Sequence, residues 1–248
     1  MNRLSGKVCV VTGAARGIGR AAARRMAHEG AVVYGADREI VELQHEMDLL
    51  RQQGYKAHAV AIDLRQPETI DNLAQQVLGQ QGRIDVLANV AGVIVEKHLE
   101  ETSLAEWDAL LEINLRGPFL ACRAFAGAMK AAGSGSIINV SSRAGVMGFA
   151  NEIAYCASKW GLEGMSRAIA DDLGPHGIAV NTLTPGVPTH TSMSEITYSA
   201  ETRKIWKDPA VIAAAFVHLG LQTPAGIHNQ YVNAWQLSEQ LRAEGWEE

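Results

Sequence analysis

Hydrophobic and polar positions follow two alternating rhythms along this chain. Short continuous apolar runs rich in β-branched residues are followed by longer stretches with apolar residues at helical spacing. The first run, 7–12 (KVCVVT), stops at Gly13, and 17–29 then carries Ile18, Ala22 and Met26 on one face with arginines on the other. The rhythm predicts further strands over 31–37, 56–63, 84–89, 136–141, 178–183 and 230–234. It predicts helices over 39–53, 67–81, 104–129, 153–173 and 209–219. Pro67 suits a first helical turn, and Pro118 inside 104–129 predicts a kink or local break. Residues 184–208 read as a long irregular segment, and 235–248 as an amphipathic tail.

Strands alternating with helices predict an α/β fold with a parallel sheet covered on both faces. The strands are apolar throughout, as doubly buried strands should be. The right-handed crossover rule leaves a single Rossmann-like, doubly wound parallel sheet as the expected topology. No linker, repeat or low-complexity tract divides the sequence, so residues 1–248 are expected to form one domain. Ligands of such sheets bind beyond the carboxyl ends of the strands, which directs attention to the residues there.

Composition narrows the class. With 47% apolar and 20% charged residues the chain is too apolar for disorder. Its longest apolar run, 210–217, falls well short of the ~20 residues of a membrane span. The first residues lack the apolar core of a secretory signal. A net charge of −5 argues against a broad nucleic-acid surface. Three widely spaced cysteines, Cys9, Cys122 and Cys156, fit reduced thiols in a cytoplasmic protein and not a disulfide framework or a metal site. The 24 glycines suggest backbone that must approach something closely.

The first such place is Thr12-Gly13-Ala14-Ala15-Arg16-Gly17-Ile18-Gly19, which leaves a strand and opens a helix. Glycines there permit a tight turn and close approach to a pyrophosphate, and the helix N-terminus offers free N–H groups and partial positive charge. Asp37 closes the second strand, where a carboxylate can accept from both ribose hydroxyls and repel a 2′-phosphate. This points to NAD. Arg16 and Arg38, near the same ribose, keep NADP as the alternative. Asp63-Leu64 and Asn89-Val90-Ala91-Gly92 end the third and fourth strands and fit walls of an adenine or ribose pocket.

The chemistry centres on Ser142, Tyr155 and Lys159. Ser142 follows the fifth strand, and Tyr155 and Lys159 stand one turn apart on one face of the next helix. A free tyrosine, with a pKa of about 10, is a poor base at neutral pH. A fixed ammonium nearby favours the phenolate. Moving the phenol to working pH takes roughly 3–4 kcal/mol. Such a base can remove an alcohol proton, while Ser142 hydrogen-bonds the substrate oxygen.

These motifs together resemble the short-chain dehydrogenase/reductase family, from Leu4 to about Leu219. The markers are TGAARGIG, Asp63-Leu64, NVAG at 89–92, Asn114, Ser142, YCASK at 155–159 and Pro185-Gly186. The resemblance implies a dinucleotide held by Gly13, Arg16, Gly17, Ile18, Gly19, Asp37, Asp63, Leu64, Asn89, Ala91 and Gly92. It implies Tyr155 as general acid/base. Lys159 would lower the Tyr155 pKa and bind the nicotinamide ribose. Ser142 would polarise the substrate oxygen, and Asn114 would hold a water in a proton relay. Pro185, Gly186 and Thr189 would flank the carboxamide. Two departures stand out: Val90 replaces the family's second asparagine, and 229–236 (NQYVNAWQ) replaces its usual Asp-Gly-Gly-like turn. That end often joins subunits, so a tetramer or dimer is expected, with a small molecule as the other partner and no nucleic acid or membrane.

The substrate is expected between Tyr155, Val93-Ile94-Val95 and the polar segment 184–208, a lid by its length. Arg143, Asn151 and His190 are candidate contacts for a small polar alcohol or ketone, including one that is anionic. Two other functions use the same elements. One is a redox-neutral epimerase or dehydratase, which would not accumulate NADH. The other is a dinucleotide-binding protein without catalysis, for which the Tyr155–Lys159 pair would have no use.

Overall fold

The computed structural model describes residues 2–246. Its strands are β1 (Val8–Thr12), β2 (Val32–Asp37), β3 (Ala57–Ala61), β4 (Val86–Asn89), β5 (Gly135–Val140), β6 (Ile178–Thr184) and β7 (Tyr231–Asn233). All pair in parallel, in the order β3-β2-β1-β4-β5-β6-β7. The expected doubly wound sheet is present. The helices are α1 (Gly17–His28), α2 (Ile40–Gln52), α3 (Pro67–Gln81), α4 (Leu104–Leu111), α5 (Gly117–Ala132), α6 (Ile153–Leu173), α7 (Ser192–Thr197), α8 (Ala200–Arg203), α9 (Ala213–Gly220) and α10 (Ala234–Ala243).

The period of two in each strand divides the core between two faces. Cys9 and Val11 of β1 pack with Ala22 and Met26 of α1 and Phe216 of α9. Val8 and Val10 pack with Leu73 and Val77 of α3 and Phe125 and Met129 of α5. Each fully buried valine or leucine contributes about 1.5–3 kcal/mol, which is why these strands read as unbroken apolar runs. The chain runs outward from β1 through β2 to β3, then returns to place β4 on β1's other side. That reversal opens a crevice between the carboxyl ends of β1 and β4. Among the described residues no helix is long and apolar enough to cross a membrane.

Three sequence expectations are refined. The helix expected over 104–129 is two helices joined by a π-helical turn, Glu112–Arg116, with Pro118 in the first turn of α5. Proline lacks the N–H that would meet the Asn114 carbonyl, and the wider turn absorbs the mismatch, with the Gly117 N–H donating to the Glu112 carbonyl. The segment 184–208 is less irregular than expected. It holds α7, capped by Thr191, and α8, capped by Ser199. These helices are too short for periodicity to reveal. The tail begins as α10, capped by Asn233, and its last residues, 247–248, lie outside the described residues.

Candidate active site

The phosphate turn is built by excluding side chains. A Cβ on Gly13, whose φ is +71°, would lie 2.8 Å from the Ala91 Cα, and one on Gly19 would lie 2.1 Å from the Gly13 carbonyl oxygen. Thr12, absent from the expected site, ties the two strand ends together: its Oγ1 accepts from the N–H groups of Val90 (3.0 Å) and Ala91 (3.3 Å). The first turn of α1 contains no acidic residue, and exposed Arg16 precedes it. The α1 N-terminus is thus fitted to an anion. Ile18 packs against the core beneath.

The other expected dinucleotide contacts divide. Asp37 lies beside the turn, accepting from the Ala15 N–H at 3.0 Å and the Glu39 N–H at 3.1 Å. Arg38 pairs with Glu39. Asp63 is gripped by the Arg65 side chain, and this hydrogen bonding holds its carboxyl below the usual range. Leu64 is buried against Gly117, where a Cβ would come within 2.9 Å. Asn89 does not turn its side chain to the crevice. Its Nδ2 donates to Asn139 Oδ1 at 2.8 Å, and Asn139 donates to Ser166 at 2.9 Å. This amide ladder fastens β4 to β5 and α6.

The residues expected to carry the reaction converge on one point. A Cβ on Gly92 would lie 3.3 Å from Asn114 Oδ1 and 3.7 Å from Lys159 Nζ, so the NVAG turn, the π turn and α6 share one point. Asn114 is locked there: its Oδ1 accepts from the Val93 N–H (2.9 Å), and its Nδ2 donates to the Val93 carbonyl (2.8 Å). Lys159 is buried, donates to the Val140 carbonyl at 2.8 Å and lies 5.6 Å from the centre of the Tyr155 ring. Ser142 accepts from the Ala144 N–H at 3.2 Å, while Tyr231 of β7 donates to the Ser142 carbonyl at 3.2 Å.

Burial dominates the electrostatics of the pair. Burial pushes the Tyr155 phenol well above its ordinary value, and hydrogen bonding with Ser142 opposes this only in part. Burial also pulls Lys159 down to about 8, against the attraction of Glu163. Desolvation disfavours the charged form of both groups, and the ammonium spends a hydrogen bond on Val140. Any lowering of the Tyr155 phenol by Lys159 has to work against the burial of both groups.

On the expected substrate side, Pro185 and Gly186, the residues expected to flank the carboxamide, are held from the C-terminus. Gly186 has φ +75°, and a Cβ there would lie 1.9 Å from Asn233 Oδ1. The Trp235 N–H donates to the Pro185 carbonyl at 3.1 Å. Thr189 is buried and donates to the Val187 carbonyl. His190 is drawn elsewhere: it lies 2.8 Å from Glu195 and stacks on Trp206 with 4.1 Å between ring centres. Asn151 serves the backbone, with φ 65° and its carbonyl accepting from Lys97. Arg143 is exposed and lies over the Phe149 ring. Glu152 and Tyr198, neither foreseen as contacts, act electrostatically on Tyr155. Burial raises the Glu152 carboxyl, Glu96 adds to this, and Arg143 opposes it. The buried thiols are unreactive: burial pushes Cys122 up to about 12, and Cys9 higher still.

Comparison with known proteins places this arrangement. Residues 7–202 match the family model described as short chain dehydrogenase. D-threitol dehydrogenase of Mycolicibacterium smegmatis is 40% identical over 190 residues, covering 75% of this chain and 71% of that protein. Cyclopentanol dehydrogenase of a Comamonas species is 36% identical over 216 residues, covering 87% and 86%. A metagenomic short-chain oxidoreductase solved with NADP superposes with a TM-score of 0.81 at 38% identity, covering 93% of this chain and 98% of that one. Match, sheet order and the convergence of motifs agree, and the chain belongs to the short-chain dehydrogenase/reductase family of oxidoreductases.

Proposed function

We propose that the protein interconverts a small polar secondary alcohol and its ketone, with Tyr155 as general acid/base and NAD as the preferred cofactor. The observation that carries this reading is the convergence of Asn114 and Lys159 on Gly92, one helical turn from Tyr155 and beside a turn that admits no side chain at Gly13 or Gly19. That turn, the α1 N-terminus and Asp37 fit a dinucleotide. Bound there, an oxidised nicotinamide would supply the hydride acceptor and a positive charge near the phenol.

The chain's own residues supply the rest. Ser142 orients the substrate oxygen. Tyr155 takes the hydroxyl proton in oxidation and returns it in reduction. Lys159 favours the phenolate whenever it is charged. Asn114, fixed at both amide atoms, offers a rigid polar wall beside Lys159. Asp37 supports NAD because its carboxylate faces the cradle with no arginine paired to it among the described residues. The relative solved with NADP makes this preference a point to measure.

The substrate side favours a neutral molecule. His190 is engaged by Glu195, and the charge of Arg143 is opposed by Glu152. Polyols and cyclic alcohols, the substrates named for two relatives, are of this kind. A groove in which Leu111, Leu115, Phe119 and Met165 stand beside Asp108, Glu112 and Arg116 supports covering by a second copy of the chain. The test is reduction of NAD by a panel of polyols, cyclic alcohols and hydroxy acids. Stoichiometric NADH is expected with a neutral alcohol. Tyr155→Phe should lower kcat by about 10²–10⁴-fold with dinucleotide binding retained. Turnover unaffected by that substitution would overturn the reading.

A further inference from the structure

One face of α6 carries three buried titratable side chains in succession, Tyr155, Lys159 and Glu163. The reaction proposed above uses the first two and leaves the third without a role. Glu163 is 5% exposed. Its Oε2 accepts from the Thr182 hydroxyl at 2.9 Å, while its buried Oε1 has no hydrogen-bond partner among the described residues. A carboxylate taken out of water needs a compensating charge or donors. One turn before it stands Lys159, equally buried.

The packing leaves Glu163 no way out. A Cβ on Gly145 would lie 2.7 Å from Ser141 Oγ, 3.1 Å from Glu163 Cγ and 3.1 Å from the Lys159 carbonyl oxygen. The turn that follows Ser142 is thus pressed onto the Lys159–Glu163 stretch. On its other side Glu163 is packed against Asn181, Thr182, Gln230, Tyr231 and Arg167, with a residual gap of only about 10 Å³ between them. The titratable and charged groups that face the pair are Tyr155 and Arg167 on α6 and Tyr231 on β7, with Arg143 acting on Tyr231 from the turn after Ser142.

We propose that Glu163 is a positioning residue that holds Lys159 as an ammonium from beneath the active centre, so that Lys159 meets Tyr155 charged. The catalytic consequence rests on the roles given above to Tyr155 and Lys159. The balance is sensitive because burial already brings Lys159 to about 8 with Glu163 opposing the fall. A group in that range discharges near physiological pH if its counter-charge is removed, and a neutral lysine does not favour a phenolate.

The test follows the Lys159 side chain by NMR in ligand-free protein labelled with ¹³C-lysine, the signal assigned by its loss in Lys159→Met. Wild-type Lys159 should titrate at about 8. Glu163→Gln keeps the volume and an oxygen for Thr182, and it should move that titration down by about one pH unit. Glu163→Asp, which keeps the charge, should restore most of it. An unmoved Lys159 titration in Glu163→Gln overturns the proposal. Should that variant fail to fold, Glu163→Met, which removes the charge at similar volume, serves in its place: the same fall is expected, and an unmoved Lys159 titration overturns the proposal. The high-pH limb of kcat/KM for alcohol oxidation should fall at correspondingly lower pH in Glu163→Gln. A moved titration with an unmoved rate profile upholds the hold on Lys159 and overturns the role of Lys159 in the reaction.

Discussion

The phosphate turn and the segment that faces it meet at one point, where the Thr191 side chain would come within 3.2 Å of a Cβ on Gly17, yet they are built in opposite ways. The turn is defined by backbone against backbone, with no space for a methyl group at Gly13 or Gly19. The facing segment is an assembly of small parts. Two short capped helices are closed at the base by the Lys207 N–H to the Pro188 carbonyl and the His190 N–H to the Lys207 carbonyl, both 2.8 Å. Exposed pairs such as His190–Glu195 and Lys204–Glu201 decorate its surface. One region is fixed by steric exclusion, the other by a sum of contacts each worth about 0–1 kcal/mol. The first tolerates almost no change in sequence. The second can be rebuilt residue by residue, which suits a part proposed to distinguish substrates.

The largest effect should come from Gly13→Ala. The new methyl meets the Ala91 backbone, which cannot rotate away, and the residue must hold a left-handed φ. Overpacking and backbone strain together cost about 2–4 kcal/mol. Thermal unfolding and dinucleotide titration should show loss of stability, of affinity, or of both. A variant that binds the dinucleotide as tightly as the wild type, with an unchanged unfolding midpoint, would place the cofactor somewhere other than this turn.

The next effect concerns the ribose end of the same cradle. Asp37 accepts two backbone N–H groups and remains half-exposed beside the turn. A 2′-phosphate brought near it meets like charge. kcat/KM should be at least about tenfold higher with NAD than with NADP, a difference of about 1.4 kcal/mol. Asp37→Ser should narrow the ratio. Equal efficiencies in the wild type would mean that exposed Arg16 outweighs Asp37.

The contrast between the two regions also explains what the sequence made legible. The cradle is local: strand, glycine turn and helix follow one another within a dozen residues, so Gly13, Gly17 and Gly19 could be read directly. Tyr155 and Lys159 are local in the same sense, one turn apart on a helix whose bounds the periodicity reproduced. The roles that escaped depend on distant partners. Asn89 finds Asn139 only because the sheet order sets β5 beside β4. Thr12 matters through Val90, and Gly186 through Asn233. The partners of His190, Glu195 and Trp206, reach its ring only once α7 and the closing strand-like bridge at Lys207 are in place. The π turn at Asn114 had a visible cause in Pro118, but its form needed the competing hydrogen bonds to be laid out.

The smallest effects should come from the facing segment and the turn after Ser142, and they test whether the site welcomes a charged substrate. Arg143 lies over Phe149, opposed by Glu152, and His190 is engaged by Glu195. If the ring contact and nearby Glu152 occupy Arg143, and Glu195 occupies His190, neither side chain is free to select an anion. Arg143→Ala should then raise KM for neutral and anionic alcohols alike, within about twofold of each other. His190→Ala removes one exposed pair and one stack, so KM should change by less than about fivefold and the unfolding free energy by about 1 kcal/mol or less. The decisive outcome is selectivity. A tenfold loss confined to anionic substrates in either variant would show that the pairing is broken when substrate binds. The facing segment would then be a region that exchanges internal partners for the substrate's charge, and its weak contacts would be a requirement of binding.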